Sequence, residues 1–166
     1  IGLSIMGFAD ILYRLEIPYN SQEGLDMAER IAETLMFTAE AASSKLAQER
    51  GNFQDFKKSR WYTELDKKHL RNAGLITMAP TGTLSLVADC SSGIEPIYAL
   101  ASKKAVVDGP EITITNSLFQ SQLTNPWAQG IIEKIMACVE ETGSVQDVAG
   151  VPDRVKHTYV TACDIS

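Results

Sequence analysis

The stretch from Leu75 to Ser85 constrains the fold of this chain most strongly. It begins with a short apolar run, Leu75 to Ala79, which lies between a glycine and Pro80 and is typical of a buried strand. Pro80 ends this strand because it has no backbone N–H and holds the preceding residue extended. Two threonines around Gly82, followed by Ser85 and a small apolar run, predict a tight turn that leads into a short helix.

This turn has the chemistry of an anion site. The first N–H groups of a helix lack internal partners, and together with the helix dipole they favour phosphate. Gly82 lets an anion approach the backbone without meeting a Cβ atom, and the hydroxyls of Thr81, Thr83 and Ser85 can donate hydrogen bonds. The alternative is that these residues are ordinary helix caps and turn formers. No lysine or arginine lies in the turn, so the residues alone leave both interpretations open.

The totals restrict the class of protein. With 166 residues, 45% of them hydrophobic, the chain fits one globular unit with a core of its own. A net charge of -6 offers no basic surface to a nucleic acid, so we expect no binding to DNA or RNA as a polymer. Three cysteines without a Cys-x-x-Cys pair fit a reducing cytoplasm and argue against a zinc site. The sequence shows no signal peptide or membrane span, and it reads as a segment of a longer protein.

Apolar periodicity predicts three main helices. The first covers residues 1–15, with apolar residues at alternating steps of four and three. The second is long, begins with a cap at Asn20, ends at Gly51 and carries a stripe rich in alanine. The third covers residues 125–143, with an Asn-Pro start and a glycine stop.

Strands are predicted near the middle and at the end of the chain. An Asp-Gly-Pro hairpin signal at 108–110 separates strands at 98–107 and 111–115, and a last short strand is predicted at 159–162. Aromatic residues lie among basic ones over 52–72, but acidic residues interrupt them. We therefore predict a surface helix or loop there rather than a nucleotide contact. No residues stand at metal-ligand spacing, so no metal site is predicted.

Specific motifs stand at the beginning, middle and end of the chain. They are Ile1-Gly-Leu-Ser-Ile-Met-Gly-Phe-Ala-Asp10 with Ile17-Pro-Tyr19, Pro80-Thr-Gly-Thr-Leu-Ser85 with Ser91-Ser-Gly-Ile-Glu-Pro96, and Tyr159-Val-Thr-Ala-Cys-Asp-Ile-Ser166. All resemble the large, catalytic subunit of ribonucleotide reductase, and the adenosylcobalamin-dependent class most closely. The resemblance implies an α/β fold, namely a helix-rich arc of the family's ten-stranded α/β barrel with a β-hairpin. It implies a single partial domain over residues 1–166.

The resemblance also implies roles for the central residues. In this family the Pro-Thr-Gly-Thr loop holds the phosphates of the ribonucleotide substrate. The phosphate-binding residues that this implies are Thr81, Gly82, Thr83, Leu84 and Ser85. The residues expected to shape the loop are Pro80, Ser91, Ser92, Gly93 and Glu95. Glu95 is placed in this group because a carboxylate beside phosphate would oppose binding.

The family's reacting group is missing from this segment. Its radical cysteine lies in an Asn-x-Cys-x-Glu loop, and none of Cys90, Cys138 and Cys163 has those neighbours. We therefore predict no catalytic residue here and an inactive isolated segment. The Asp-x-His-x-x-Gly pattern of some cobalamin modules is also absent, so no cofactor contact is assigned.

The implied partners are those of a complete cytoplasmic reductase. They are a ribonucleoside diphosphate or triphosphate, adenosylcobalamin, the rest of the reductase chain and a thioredoxin-type reductant. Self-association is also expected, because an arc of a barrel leaves open strand edges and an exposed apolar face. Two other functions stay open. One is a non-catalytic phosphate-binding or scaffold domain that keeps the fold without the reaction, and the other is a helical interaction module built on the long helix.

Overall fold

The computed structural model describes residues 1–105 and 111–165. The chain forms two compact units that are discontinuous in sequence. Unit 1 comprises Ile1–Ile5 and Asp26–Ala79, and unit 2 comprises Met6–Leu25 and Pro80–Ser166.

Helices dominate the described residues. The α-helices are α1 (Phe8–Leu15), α2 (Gln22–Arg50), α3 (Arg60–Thr63), α4 (Gly82–Ala88), α5 (Ser117–Gln122), α6 (Ile132–Thr142) and α7 (Asp153–Thr158). Short 3-10 helices cover Phe56–Lys58, Pro126–Ala128 and Ala162–Asp164, and two strands are present, β1 (Ala101–Ala105) and β2 (Glu111–Thr115). The predicted character, helix-rich with one hairpin, is therefore confirmed. Within the described part of the chain, no helix is both long enough and apolar enough to cross a bilayer.

The long helix α2 ends where the sequence predicts. Gly51 takes the left-handed conformation with a φ of 78°, and its N–H donates to the carbonyl of Ala47 at 2.8 Å. The start differs by one residue, because the hydroxyl of Ser21, and not Asn20, accepts from the N–H of Gly24 at 3.1 Å. The predicted apolar stripe is only partly buried, since Leu25 is exposed.

The core of unit 1 is small and consists of Ala39, Phe56, Leu70 and Leu75. Phe56 lies in the stretch 52–72, which the sequence predicts as surface helix or loop. The structure forms two short helical turns there, and the stretch also supplies core residues. The hydroxyl of Ser43 accepts from the backbone N–H of Asn72 at 3.0 Å and ties α2 to the end of this stretch.

The first predicted helix is wrong over residues 1–7. Gly7 has a φ of 82° and stops α1 from extending further toward the N-terminus. Leu3 instead forms an isolated parallel bridge with Ile76, in which the N–H of Leu3 donates to the carbonyl of Leu75 at 2.8 Å. The predicted strand at Leu75 to Ala79 is therefore represented by one bridge and not by a regular strand.

The hairpin and the third helix lie in unit 2. Strands β1 and β2 pair antiparallel with Ala101 opposite Thr115, while the predicted turn at Asp108-Gly-Pro110 lies outside the described residues. The third predicted helix is divided into the 3-10 turn at Pro126–Ala128 and α6, and Gly143 ends it as predicted with a φ of 77°.

The final predicted strand at 159–162 is wrong. The chain forms α7 up to Thr158 and then a 3-10 turn at Ala162–Asp164. The carboxylate of Asp164 accepts from both the N–H and the hydroxyl of Thr161, which closes this turn. Tyr159 does contribute to the core of unit 2. The members of that core are Tyr13, Leu100, Ala101, Phe119, Leu123, Ala128, Ile135, Val139, Val145, Val148, Val151, Val155 and Tyr159.

Candidate functional site

The predicted phosphate turn is built on a strained residue. Thr81 stands directly before α4 in the left-handed conformation, with φ 50° and ψ 24°. A β-branched residue in this region costs about 1–3 kcal/mol and persists only where its surroundings hold it. Here the hydroxyl of Thr81 accepts a hydrogen bond from the N–H of Gly93 at 2.8 Å.

Three amides of the turn have no hydrogen-bond partner in the part of the chain that the structure describes. The N–H of Ser85 donates to the carbonyl of Thr81 at 2.8 Å and makes the first hydrogen bond of α4. No hydrogen bond from the N–H groups of Gly82, Thr83 or Leu84 occurs among the described residues. All three residues are exposed, and a Cβ atom placed on Gly82 would meet no atom within 4 Å. The start of α4 therefore offers accessible donors beside open space.

The three hydroxyls of the turn differ in availability. Ser85 is only 4% exposed, and its hydroxyl donates inward to the carbonyl of Gly82 at 2.9 Å. The hydroxyl of Thr81 is already an acceptor, although its hydrogen is not used by that contact. Thr83 is exposed, and its hydroxyl makes no hydrogen bond within the described part of the chain. The side chain of Thr83 is thus the freest donor, while Ser85 stabilises the backbone of the turn.

The predicted loop-shaping residues follow the turn. Ser91 and Gly93 are buried, and Gly93 has a φ of 52°, which favours glycine. The N–H of Glu95 donates weakly to the carbonyl of Ser92 at 3.3 Å, whereas Pro80 is exposed. The loop from Ser91 to Gly93 thus lies against the turn through its contact with Thr81.

Two residues from the first motif hold this loop, and no sequence pattern indicates their contacts. Asp10 accepts from the N–H of Ser91 at 2.6 Å, and the hydroxyl of Tyr19 donates to the carbonyl of Ile94 at 2.7 Å. Partial burial raises the pKa of Tyr19, and the carboxylate of Glu95 raises it further. Tyr19 therefore stays a hydrogen-bond donor at neutral pH.

The three cysteines are free thiols. Cys138 lies within α6, as the sequence predicts, and Cys163 is exposed. Burial raises the pKa of the Cys90 thiol, and the carboxylates of Asp10 and Asp89 raise it further. Across residues 1–105 and 111–165, no group of three or more His, Cys, Asp or Glu side chains could hold a metal ion.

The described residues form a helix-rich segment with one antiparallel hairpin, and the turn before α4 carries three amides that have no partner among those residues. The family model described as "Ribonucleotide reductase, barrel domain" matches residues 1–67 and 62–166. The chain therefore belongs to the ribonucleotide reductase family, and it represents part of that family's barrel domain. The predicted family and fold class are confirmed.

Curated relatives match the chain along its whole length. A vitamin B12-dependent ribonucleoside-diphosphate reductase from Thermoplasma acidophilum is 43% identical over 166 residues, which cover 99% of this chain and 21% of the relative. A protein of the same name from Mycobacterium tuberculosis is 35% identical and is matched over 23% of its length. The alpha subunit of a ribonucleoside-diphosphate reductase from Chlamydia muridarum is 30% identical and is matched over 19%. The chain thus spans about a fifth of the length of these relatives.

A solved structure shows the same fold. The alpha subunit of the class Id ribonucleotide reductase from Actinobacillus ureae superposes with a TM-score of 0.73 at 23% identity. The superposition covers 96% of this chain and 27% of the other. The architecture is therefore that of a segment of such a subunit.

Proposed function

We propose that this chain is the segment of a ribonucleotide reductase that holds the phosphates of the substrate. The parent protein converts a ribonucleoside diphosphate or triphosphate to the deoxyribonucleotide by radical chemistry. The observation that carries the proposal is the set of N–H groups on Gly82, Thr83 and Leu84, which have no partner within residues 1–105 and 111–165 and stand at an open glycine.

The turn suits a phosphate for three reasons. Unpaired N–H groups at the start of a helix bind anions through hydrogen bonds and the helix dipole. The missing Cβ of Gly82 leaves room for oxygen atoms to approach the backbone, and the Thr83 hydroxyl adds a further donor. Thr81 can also donate to the phosphate, because the hydrogen of its hydroxyl is not used in the contact with Gly93. Ser85 contributes by holding the backbone of the turn through its hydrogen bond to the carbonyl of Gly82.

The contribution of this segment is positioning. Donors fixed before the substrate arrives hold the phosphates at one place, so that the ribose meets a reacting group supplied by another part of the protein. Pro80, Ser91, Ser92, Gly93 and Glu95 shape the loop around those donors. None of them needs to take part in the chemistry.

The parent enzyme is proposed to depend on adenosylcobalamin, because the relatives from Thermoplasma acidophilum and Mycobacterium tuberculosis are named vitamin B12-dependent. When bound, this cofactor supplies the radical that starts the reaction. The two histidines of this chain, His69 and His157, are exposed, and neither belongs to a cluster of potential ligands in the described residues. We assign no residue of this chain to the cofactor.

Further partners follow from the proposed parent enzyme. Leu84, Leu86 and Val87 on α4 are exposed, and Val87 is 82% accessible, which supports a contact with the rest of the reductase chain or with a second copy. A thioredoxin-type reductant is proposed for the parent enzyme, which we place in the cytoplasm because the cysteines of this chain are free thiols.

The test is steady-state kinetics of the full-length protein with Gly82→Ala and Thr83→Ala. Apart from its chain neighbours and the backbone of its own helix, no atom of the described residues lies within 4 Å of the methyl group that Gly82→Ala adds. Its main expected effect is therefore on the bound phosphate. We expect KM for the ribonucleotide to rise about 10-fold with kcat little changed, because hydrogen bonds to charged groups are strong and this interaction exists in the ground state.

The matched control is Thr83→Ser, which keeps the hydroxyl and should keep KM within about 2-fold of the wild type. Unchanged KM in both Gly82→Ala and Thr83→Ala would disprove the phosphate role. A full-length protein that binds ribonucleotides at this turn without reducing them would instead support the non-catalytic alternative.

A further inference from the structure

The N-terminal end of α1 holds one residue of the loop after α4 at three points. The N–H of Ser91 donates to the carboxylate of Asp10 at 2.6 Å, and the N–H of Gly7 donates to the carbonyl of Ser91 at 2.8 Å. The N–H of Asp10 makes a longer contact of 3.4 Å with the hydroxyl of Ser91. Both polar backbone groups of Ser91 are therefore bound by residues that precede it by more than eighty positions.

The strongest of these contacts uses a charged group. Ser91 is only 8% exposed, so its N–H has little access to water. A carboxylate that accepts a backbone N–H forms a shorter and stronger bond than a neutral acceptor does. Loss of this acceptor would leave a buried donor without a partner, which costs more than the loss of an exposed hydrogen bond. Asp10 thus fixes the backbone at Ser91.

The loop passes this constraint on to the phosphate turn. Two residues after Ser91, the N–H of the buried Gly93 donates to the hydroxyl of Thr81 at 2.8 Å. Thr81 is the strained, left-handed residue from which α4 starts. Because such a conformation persists only where surrounding contacts hold it, the position of Gly93 decides whether Thr81 keeps it.

We propose that Asp10 is a positioning residue for the phosphate turn. It acts through Ser91 and Gly93 on Thr81, and it keeps the N–H groups that follow Thr81 aimed at the substrate without touching the substrate itself. This inference rests on the proposed function of the turn. The proposed connection joins Asp10 of the first motif to Ser91 and Thr81 of the central motif. Neither motif predicts this connection by itself.

The test compares Asp10→Ala with Asp10→Asn in the full-length protein. Asp10→Ala removes the acceptor of the Ser91 N–H, so KM for the ribonucleotide should rise about 10-fold, while the change in kcat stays much smaller. Asp10→Asn keeps a neutral acceptor oxygen and should restore KM to within about 3-fold of the wild type. Arg14→Ala, on the exposed side of the same helix, is the control and should leave both constants unchanged.

The division between KM and kcat separates positioning from a merely structural role. A variant that only lowers the folded fraction reduces the apparent kcat and leaves KM unchanged, and that result would overturn the proposal. Thr81→Val removes the other end of the same connection together with the proposed phosphate donor at Thr81, so it should raise KM at least as much as Asp10→Ala. If Asp10→Ala does not fold, Asp10→Asn takes its place, and its smaller rise in KM should disappear in the Thr81→Val background. The double variant should raise KM no further than the larger single change, because both act on one connection. Additive effects would contradict the proposal.

Failure of this inference differs from failure of the phosphate role. If Gly82→Ala raises KM while Asp10→Ala does not, the turn binds phosphate and Asp10 does not position it. If Gly82→Ala and Thr83→Ala leave KM unchanged, the phosphate role is wrong, and the inference about Asp10 is wrong with it.

Discussion

Helices α6 and α4 both carry apolar side chains, but only α6 buries them. Ile135 and Val139 of α6 are completely buried in the core of unit 2. On α4, by contrast, Leu86 and Val87 are exposed, and the residue before the helix is strained. The first three amides of α4 have no partner among the described residues. Helix α6 thus has the features of a structural element, whereas α4 has the exposed groups that the proposed phosphate-binding role requires. Substitutions in the two helices should therefore affect different measurements.

The largest expected effect is on stability. Ile135→Ala in α6 removes a fully buried side chain and leaves a cavity, so we expect a loss of about 2–5 kcal/mol. Ile132 lies in the same helix and is 40% exposed, so Ile132→Ala is the matched control and should cost clearly less. The shift of the melting temperature of the full-length protein measures the loss of stability in each variant. Equal shifts would show that α6 is not the core element described here.

Gly82→Ala tests the comparison between α6 and α4 at the start of α4. Its methyl group enters open space, so the free energy of unfolding should change by less than about 1 kcal/mol. Core substitutions should thus lower stability and spare the KM of the folded protein, whereas substitutions in the turn should raise KM and spare stability. A large loss of stability in Gly82→Ala would break this distinction.

The smallest effect concerns the reactivity of Cys90. Burial, followed by the carboxylates of Asp10 and Asp89, raises the pKa of this thiol. A smaller fraction of Cys90 is therefore present as the reactive thiolate at a given pH. Cys90 should react with iodoacetamide at pH 8 more slowly than the exposed Cys163, as measured by mass spectrometry of the modified peptides. Asp10→Asn removes one negative charge, lowers the pKa and should speed the reaction of Cys90 about threefold.

The pH profile provides the check on this assignment. In Asp10→Asn the rise in the alkylation rate of Cys90 should occur at lower pH than in the wild type, because the thiolate is less opposed by charge. The alkylation rate of Cys163 at pH 8 should be the same in both proteins. An unchanged profile for Cys90 would show that the Asp10 carboxylate does not act on this thiol.

Local signals made much of the fold predictable. The stop of α2 at Gly51, the stop of α6 at Gly143 and the hairpin strand Glu111–Thr115 all follow from nearby residues. The errors arose where a tertiary contact decided the outcome. The apolar rhythm of residues 1–15 fits one helix, but Leu3 pairs with Ile76 and Gly7 turns the backbone.

The features of the candidate site also fall into two groups, those that nearby residues predict and those that depend on tertiary contacts. The position of the turn after Pro80, at the start of α4, was predictable because a proline, a glycine and hydroxyl residues define it locally. The inward hydrogen bond of Ser85 and the link from Asp10 to Ser91 were not, since burial and a contact across 81 residues leave no local pattern. A resemblance between motifs indicates that two segments belong to one protein, but only coordinates show that they touch.

The most direct test of the central claim is a structure of the full-length protein with its ribonucleotide bound. The account predicts phosphate oxygens within about 3.2 Å of the backbone nitrogens of Gly82, Thr83 and Leu84, with Thr81 still left-handed and bonded to Gly93. Phosphates bound at another place, with these three amides facing solvent or paired with protein groups, would contradict it.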